Sequence, residues 1–411
     1  MSMATTQHVL LSPAELAFLH TSLAQHPPIR PDGRTPAQFR PLRAETGMLP
    51  SANGSARIFF ADGSEAIVGV KAQVERTRRG DGDGGDDEKD DEDDKDGNAG
   101  DLWADASDDD GGDGGGERTK SGNDRKGSGG AGAAGNAAPS WVEVLVEIPG
   151  VRDDDASTVF LGSLLAEALL ADGGLTKALC INRRFHWKLF LDVLLISPPL
   201  SYPLPLLSLT THLALLATRL PRLVSEGDED PLFDDDWDAS TFLYQRGTSQ
   251  SAPIQARPPI TLLVMTVGDN ILFDPTAEEL AVANAVLAIS VGHAVSPSSA
   301  SPSTSSTASS SSLRLLAIRT IDPPSHLTAP GTPYNEVNKS KAAAIPGPQN
   351  TGFTPTAPAR VITETDDVYG VWKAPRGGAK VALLAAMTHK VLEKGGVANE
   401  VFAGLDSVEI M

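Results

Sequence analysis

Arginine is concentrated in one short stretch near the start of the sequence. Residues 27–47 (PPIRPDGRTPAQFRPLRAETG) hold four arginines and no apolar run, namely Arg30, Arg34, Arg40 and Arg43. A guanidinium group binds phosphate or carboxylate through paired N–H groups, so this stretch could contact RNA phosphates. The alternative is that these arginines form ion pairs within the domain or with a neighbouring subunit. The sequence leaves both interpretations open.

Two further groups of basic residues could contact nucleic acid. Arg76, Arg78 and Arg79 follow a predicted strand and precede an acidic segment, so they could touch RNA or pair with those acids. Arg183 and Arg184 occupy a predicted hairpin tip beside aromatic residues. Cations beside aromatic rings are typical of single-stranded nucleic-acid binding, although a protein contact would use the same residues.

Other chemistry is poorly supported by the residues present. The eight histidines are scattered without ligand spacing and Cys180 is the single cysteine, so we predict no metal site, no cofactor and no disulfide. Cys180 is predicted to be buried in a strand. Asp192 lies inside an apolar strand, and Asp269 and Asp274 are interpreted as a turn residue and a helix N-cap.

The formal net charge of −20 is unevenly distributed. Nearly all of the acidic excess lies in residues 81–126 and 226–238, and the remaining sequence is close to neutral. The acidity therefore says little about the folded core. Acidic runs of this kind are typical of solvating linkers, although they could also imitate RNA or bind basic partners.

Hydrophobic periodicity predicts a mixed α/β chain. In the first half it predicts a helix from Ser12 to Ala24 and then strands and helices in alternation, comprising strands 56–60, 66–74 and 141–148, helix 156–171, strands 178–181 and 187–196, and helix 206–218. In the second half it predicts strands 260–267 and 271–273, a helix from Ala277 to about Ser290, strand 313–321 and helix 379–393. Thr276 and Glu279 are spaced as a capping box at the start of the predicted helix. The segment 395–411 cannot be assigned.

Four biased segments interrupt these elements and are interpreted as insertions within a single domain of residues 1–411. They are an acidic Gly/Asp-rich segment (79–139), an acidic segment (225–259), a Ser-rich segment (295–312) and a Pro/Thr/Ala-rich segment (323–365). About 250 residues remain, which suits one α/β domain built from two similar βαβα-like halves. We see no signal peptide, and polar residues interrupt the most apolar run, residues 204–223, so we predict no membrane span.

Three motifs in order resemble a known family. They are RPDGR…FRPLRAETGMLPSANGSARI (residues 30–58), WKLFLDVLLI (187–196) and VGDNILFDPTAEE (267–279). Together they resemble an RNase PH-type domain, and the third motif resembles the non-catalytic ring subunits of the RNA exosome. The resemblance implies an RNase PH-type fold, which is like domain 2 of ribosomal protein S5, over the core and not over the insertions.

The resemblance also shows what this chain lacks. Active members of the family cleave RNA with phosphate and carry arginines on the helix that matches residues 156–171. That helix has no arginine or lysine here, and Ser157, Ser163 and Glu167 stand at those positions, with Leu170. Where active members have an aspartate and two glycines, this chain has Ser197, Pro198 and Pro199. Proline offers no N–H to a phosphate, so the resemblance implies no catalytic residue.

The implied function is structural. The resemblance implies a ring of six related chains, capped by S1/KH-domain subunits, that passes RNA to recruited exoribonucleases in the nucleus, nucleolus and cytoplasm. Sheet edges and apolar helices such as 206–218 are expected to supply the ring interfaces. Two alternatives remain. The chain could hold RNA in a composite phosphorolytic exoribonuclease, or it could be a free-standing RNA-binding module, although no continuous basic face supports the latter.

Overall fold

Two β-sheets form the frame of the protein. The structure is a computed structural model and describes residues 11–77, 138–244, 257–293, 313–321 and 379–410. Three of the predicted insertions fall almost wholly outside these ranges. The fourth, 225–259, is described as far as residue 244 and again from residue 257.

The first sheet has five strands in the order β1-β2-β3-β5-β4. Their bounds are β1 (Leu42–Thr46), β2 (Gly54–Phe60), β3 (Glu65–Arg76), β4 (Val142–Glu147) and β5 (Phe185–Leu195). Only the β4–β5 pair is parallel within this sheet. A parallel pair needs a crossover connection, and α2 (Ala156–Leu170) and α3 (Gly174–Ala178) provide it. The sheet resumes at β4 after the first predicted insertion.

The second sheet has four antiparallel strands in the order β11-β10-β8-β9. Their bounds are β8 (Ile260–Val267), β9 (Asn270–Phe273), β10 (Ala285–His293) and β11 (Leu313–Ile321). A short two-stranded ribbon, β6 (Arg219–Leu220) with β7 (Thr241–Phe242), stands apart from both sheets. The predicted α/β class is confirmed, but the parallel crossover belongs to the first sheet and the second sheet is wholly antiparallel.

The helix predicted from Ala277 to Ser290 is wrong beyond its first turn. The capping box of Thr276 and Glu279 does start a helix, but α5 (Ala277–Leu280) ends after four residues. The following residues form β10, which pairs with β8 on one side and β11 on the other. The sequence of a central strand that is buried on both faces is a continuous apolar run. Hydrophobic periodicity alone does not distinguish such a run from a buried helix.

The segment around Cys180 also differs from the prediction. Residues 178–181 form no strand, because Ala178 ends α3 and Cys180 makes a single isolated bridge to His186. The cysteine is half-buried, not enclosed as predicted. The strand predicted at 187–196 is present as β5 and begins two residues earlier.

Helix α4 (Leu204–Leu216) lies between the two sheets. All thirteen of its residues are buried, and it contacts β2, β3 and β5 on one side and β8 on the other. A helix with leucine on every side, whose few polar side chains are hydrogen-bonded within the core, requires such an enclosed position. The expectation that this helix supplies a ring interface is therefore wrong, because the core already covers its whole surface.

The remaining helices are α1 (Pro13–Leu23), α6 (Val381–Val391) and α7 (Val397–Asp406). α1 begins with the predicted capping box of Ser12 and Glu15. α7 comes from the segment that the sequence left unassigned, and it buries Phe402 against His212 of α4 and His293 of β10 at ring-centroid distances of 5.5 and 4.4 Å. Arg257 and Asp406 form an ion pair beside this contact. None of the helices in the described ranges has the length and apolar character needed to cross a membrane.

His212 is held neutral in this core. Its Nδ1 lies 2.8 Å from the carbonyl oxygen of Pro258, which can only accept, so Nδ1 carries the proton. Its Nε2 is buried without a hydrogen-bond partner. Burial lowers the pKa of His212 to about 3, and the nearby positive charge of Arg257 acts in the same direction. The accepting carbonyls of Pro258 and Pro259 raise the pKa but do not outweigh burial. Burial also lowers the pKa of His293.

The burial of His212 predicts an acid-sensitive core. The folded-state pKa of His212 lies below the unfolded value of about 6.5. The stability that neutral His212 contributes to the fold is therefore fully present above about pH 6.5 and is lost as the pH falls toward about 3. In urea unfolding across this range, we expect His212→Asn to gain stability relative to wild type by up to about 1.4 kcal/mol per pH unit. His389→Asn, which changes an exposed residue of α6, should follow the wild-type curve. Parallel curves for wild type and His212→Asn would contradict the assignment.

Candidate functional site

Arg30 belongs to a buried carboxylate pair. Its Nε and one terminal nitrogen each donate to Glu279, with both N–O distances 2.7 Å. The same guanidinium donates to the carbonyl oxygens of Thr35, Phe273 and Asp274 at 3.0–3.3 Å. Both side chains of the pair have no exposed surface. In this structure, the charge of Arg30 is therefore neutralised within the fold by Glu279.

Arg34 and Arg40 share the carboxylate of Asp274. Arg34 donates to Oδ2 at 2.9 Å, and Arg40 donates to Oδ1 at 2.7 Å and to Oδ2 at 3.0 Å. The backbone N–H of Arg40 also donates to Oδ2, at 2.9 Å. Burial disfavours the charged form of Arg40, but the hydrogen bonds and charge of Asp274 outweigh it and raise the pKa of the guanidinium. In this structure Arg34 and Arg40, like Arg30, therefore pair with carboxylates within the domain.

Local backbone geometry directs the carboxylates of Asp274 and Glu279 toward these arginines. Asp274 follows β9 with φ of +47°, in the left-handed region that aspartate tolerates better than most residues. It is not the helix N-cap that the sequence suggested, because Thr276 takes that position. Glu279 accepts the backbone N–H of Thr276 at 2.9 Å and also binds Arg30. One carboxylate therefore both caps α5 and holds the N-terminal segment.

Arg40 extends these contacts to the end of the first sheet. This guanidinium also pairs with Asp62, in the β2–β3 turn, and donates to the hydroxyl of Ser201 at 2.8 Å. Arg34 pairs with Asp32 at 2.5 Å. We call the residues Arg30, Arg34, Arg40, Asp32, Asp62, Asp274 and Glu279 the arginine cluster. It has three cations and four carboxylates, so it presents no excess positive charge to a phosphate.

Ser197, Pro198 and Pro199, which the sequence resemblance predicts to match the phosphate-binding turn of active members, lie directly beside this cluster. The chain leaves β5 at Ser197, whose hydroxyl accepts the backbone N–H of Glu65 at 2.9 Å. Pro198 and Pro199 follow, and Ser201 then meets Arg40. The turn is therefore fixed on both sides by protein contacts, and its two prolines provide no N–H group to a ligand.

The positions on α2 where the resemblance predicts arginines in active members carry neutral or charge-balanced groups. The hydroxyl of Ser157 donates to Asp155 at 2.7 Å, and that of Ser163 donates to the carbonyl of Phe160 at 2.7 Å. Glu167 accepts two hydrogen bonds from Arg319 of β11, at 2.8 and 3.0 Å. No local sequence pattern pointed to Arg319, because it lies 152 residues from Glu167 along the chain. A cation does reach this helix, but a carboxylate pairs with it.

The remaining arginine candidates are exposed. Arg43 lies on β1 at the edge of the first sheet, and Arg76 ends β3 with its guanidinium 5.8 Å from the ring of Phe185. Arg183 and Arg184 form a hairpin tip before β5, as predicted, and pair with Asp228 and Asp230. Arg78 and Arg79 lie outside the described residues.

Other chemistry finds no support in the described residues. No group of three or more histidine, cysteine, aspartate or glutamate side chains is placed to hold a metal ion within those ranges. Asp192 is exposed on the outer face of the first sheet, in register with Gly69 and Leu145, so it needs no buried partner.

Comparison with known proteins identified exosome components. No family model matches the chain. It is 31% identical over 286 residues to "Exosome complex component RRP42" of Saccharomyces cerevisiae, covering 68% of this chain and 81% of that protein. It is 28% identical over 304 residues to "Exosome complex component rrp42" of Schizosaccharomyces pombe, covering 68% and 78%. A solved structure titled "Archaeal exosome core" aligns with TM-score 0.41 and 14% identity, covering 79% of this chain and 89% of that one.

The shared carboxylate predicts a large cost for one substitution. Asp274→Asn keeps the size and left-handed backbone of the residue but leaves Arg34 and Arg40 without their shared charge. Removing one partner of a buried ion pair typically costs about 3–5 kcal/mol, so we expect the free energy of unfolding to fall by about that amount. Asp269→Asn, at an exposed turn five residues earlier, should change it by less than about 0.5 kcal/mol. Equal effects in urea unfolding would show that the cluster does not carry this stability.

Proposed function

Because this chain belongs to the family of exosome components named RRP42, we propose that it is a non-catalytic subunit of the exosome ring. In this role it supports 3′–5′ processing and degradation of RNA, including maturation of ribosomal RNA, as part of the scaffold around a channel. The observation that carries the non-catalytic assignment is the charge balance of α2. Its face has no cation of its own, and Glu167 offsets the charge of Arg319.

The chemistry of phosphorolysis explains why this observation matters. An anionic phosphate must approach an anionic phosphodiester, so a phosphorolytic site needs unpaired cations or N–H groups directed at both. Here the nearby arginines bind carboxylates, and the turn after β5 contains Pro198 and Pro199. Both departures act in the same direction, because each removes a donor that would stabilise the additional negative charge.

The proposed partners follow from family membership. They are related RNase PH-like ring subunits, S1/KH cap subunits, recruited exoribonucleases and the RNA that passes through the channel, in the nucleus, nucleolus and cytoplasm. Ring contacts require surfaces other than α4, since that helix is enclosed. Exposed apolar side chains on the first sheet and α2 are available instead, including Leu145, Val159, Phe160 and Leu194.

The arginines divide into two groups under this proposal. Arg30, Arg34 and Arg40 serve the fold, because their guanidinium groups are committed to Asp274, Glu279 and neighbouring carbonyls. RNA contact is proposed for the exposed residues Arg43, Arg76, Arg183 and Arg184. For Arg78 and Arg79, RNA contact stays a prediction from the sequence.

Purification of the intact assembly tests the proposal. We expect the tagged full chain to co-purify, in near-equal amounts, with RNase PH-like and S1/KH-like chains in an assembly several times its own mass. Mass spectrometry and light scattering measure these two properties. A lone monomer or a simple homo-oligomer would contradict the ring assignment.

The same material tests the composite-enzyme alternative. The full chain should release no nucleoside diphosphate from RNA in the presence of inorganic phosphate, either alone or paired with each co-purified RNase PH-like chain. Phosphate-dependent release by a pair would favour the alternative in which this chain holds RNA. An active bacterial or archaeal RNase PH-type enzyme serves as the positive control for the assay.

A further inference from the structure

The exposed arginine tip is covered by a hairpin of opposite charge. Residues 222–234 fold back on themselves, with a bridge between Leu223 and Phe233 and a hydrogen bond from Val224 N–H to the carbonyl of Leu232 at 2.8 Å. We call this segment the acidic hairpin, since its turn carries Glu226, Asp228, Glu229 and Asp230. The ring of Phe233 lies 4.9 Å from that of Trp187 in β5, which fixes the base of the hairpin to the first sheet.

The turn of the acidic hairpin contacts the tip through both side chains and backbone. Asp228 lies 3.9 Å from the guanidinium of Arg183 and accepts the backbone N–H of Arg183 at 3.3 Å. Asp230 pairs with Arg184 at 3.3 Å. Arg184 also donates to the carbonyl of Asp228 at 3.3 Å, and Asn182 donates to that of Glu229 at 2.9 Å. Carboxylate and carbonyl oxygens therefore contact both arginines, whose side chains remain 68% and 52% exposed.

The tip itself is held in a fixed shape. The side-chain oxygen of Asn182 accepts the backbone N–H groups of Arg184 and Phe185 at 2.9 and 2.8 Å. The guanidinium groups of Arg184 and Arg76 lie 5.4 and 5.8 Å from the ring of Phe185. Three cationic side chains thus project from one rigid point of the sheet. Arg76 has no carboxylate partner within the described residues.

This arrangement suits a flexible polyanion. Phe185 is only 9% exposed, so its ring cannot serve as a stacking platform for bases. A ligand at this tip would be bound through charge and N–H donors, which is how proteins hold the phosphate backbone of nucleic acid. The choice of RNA as that ligand rests on the proposed function.

We propose that Arg183 and Arg184, with Arg76 beside them, form a contact site for the phosphates of single-stranded RNA, and that the acidic hairpin is its built-in competitor. Asp228 and Asp230 occupy the arginines when RNA is absent and yield to phosphates when it is present. The exchange is readily reversible, because these ion pairs are exposed and such pairs contribute little stability. Phe233 keeps the hairpin in place, so only its turn must move.

Charge-neutral substitutions in the acidic hairpin test this proposal. Binding of a fluorescent single-stranded RNA of about 20 nucleotides to the full chain is measured by anisotropy at about 0.15 M salt, where charges more than about 8 Å apart are largely screened. We expect Asp228→Asn with Asp230→Asn to lower Kd about two- to tenfold, because two competing ion pairs are removed. The control, Asp235→Asn with Asp238→Asn, removes the same charge from exposed residues just after the acidic hairpin, whereas Asp228 and Asp230 are the carboxylates that pair with the two arginines. It should change Kd by less than about twofold.

Two further variants make the outcome decisive. Adding Arg183→Ala and Arg184→Ala to the first pair should abolish the gain. Asp230→Asn alone leaves the backbone contacts of Asp228 and Glu229 unchanged and should give a smaller gain in the same direction. Equal gains in the test and control pairs, a gain that survives loss of both arginines, or no gain at all would each overturn the proposal. The purification result does not enter this test, so failure of the RNA site and failure of the ring assignment are distinguishable.

Discussion

The carboxylate of Asp274 is the contact on which the arrangement of the two sheets depends. It is buried beside β9 of the second sheet and binds Arg34 and Arg40 from the N-terminal segment. Arg40 reaches onward to Asp62 and Ser201, at the end of the first sheet. A buried carboxylate is costly unless its charge and its lone pairs are satisfied, and here two guanidinium groups and one backbone N–H satisfy them. One charge therefore ties together three parts of the chain that are distant in sequence.

The same network binds Arg30, Arg34 and Arg40 to carboxylates of the fold, which supports the proposal that this arginine-rich sequence forms no phosphate site. Guanidinium groups bind carboxylate and phosphate with the same geometry, so residue type alone cannot say which anion is bound. In this chain Asp274 and Glu279 satisfy that geometry internally. The turn after β5, which would have to approach a phosphate closely, instead carries two prolines and is held by Glu65 and Arg40. The arginines that remain exposed lie at the margin of the sheet, where the acidic hairpin meets them.

Much of the fold could be predicted from local patterns, and the errors have a common cause. The capping boxes at Ser12 and Thr276 marked two helix starts correctly, because both partners lie within one turn of helix. β10 was predicted as a helix because burial on both faces removes the alternation that identifies a strand. The leucine-rich α4 is predicted as a helix, but its place between the sheets is not, since only tertiary contacts with β2, β3 and β8 decide that position.

The candidate site was less predictable, because its partners are far apart in sequence. Asp274 lies more than 230 residues from both arginines that it binds. The sequence therefore left RNA contact and ion pairing open for Arg30, Arg34 and Arg40. A double-mutant cycle between Arg40→Met and Asp274→Asn tests the central claim most directly. We expect a coupling free energy of about 1–3 kcal/mol in urea unfolding, with the RNA affinity of the tip unchanged. Additive effects on unfolding would show that Arg40 and Asp274 are not coupled and would contradict the claim. An equal loss of RNA affinity in both single variants would show that the cluster serves a ligand.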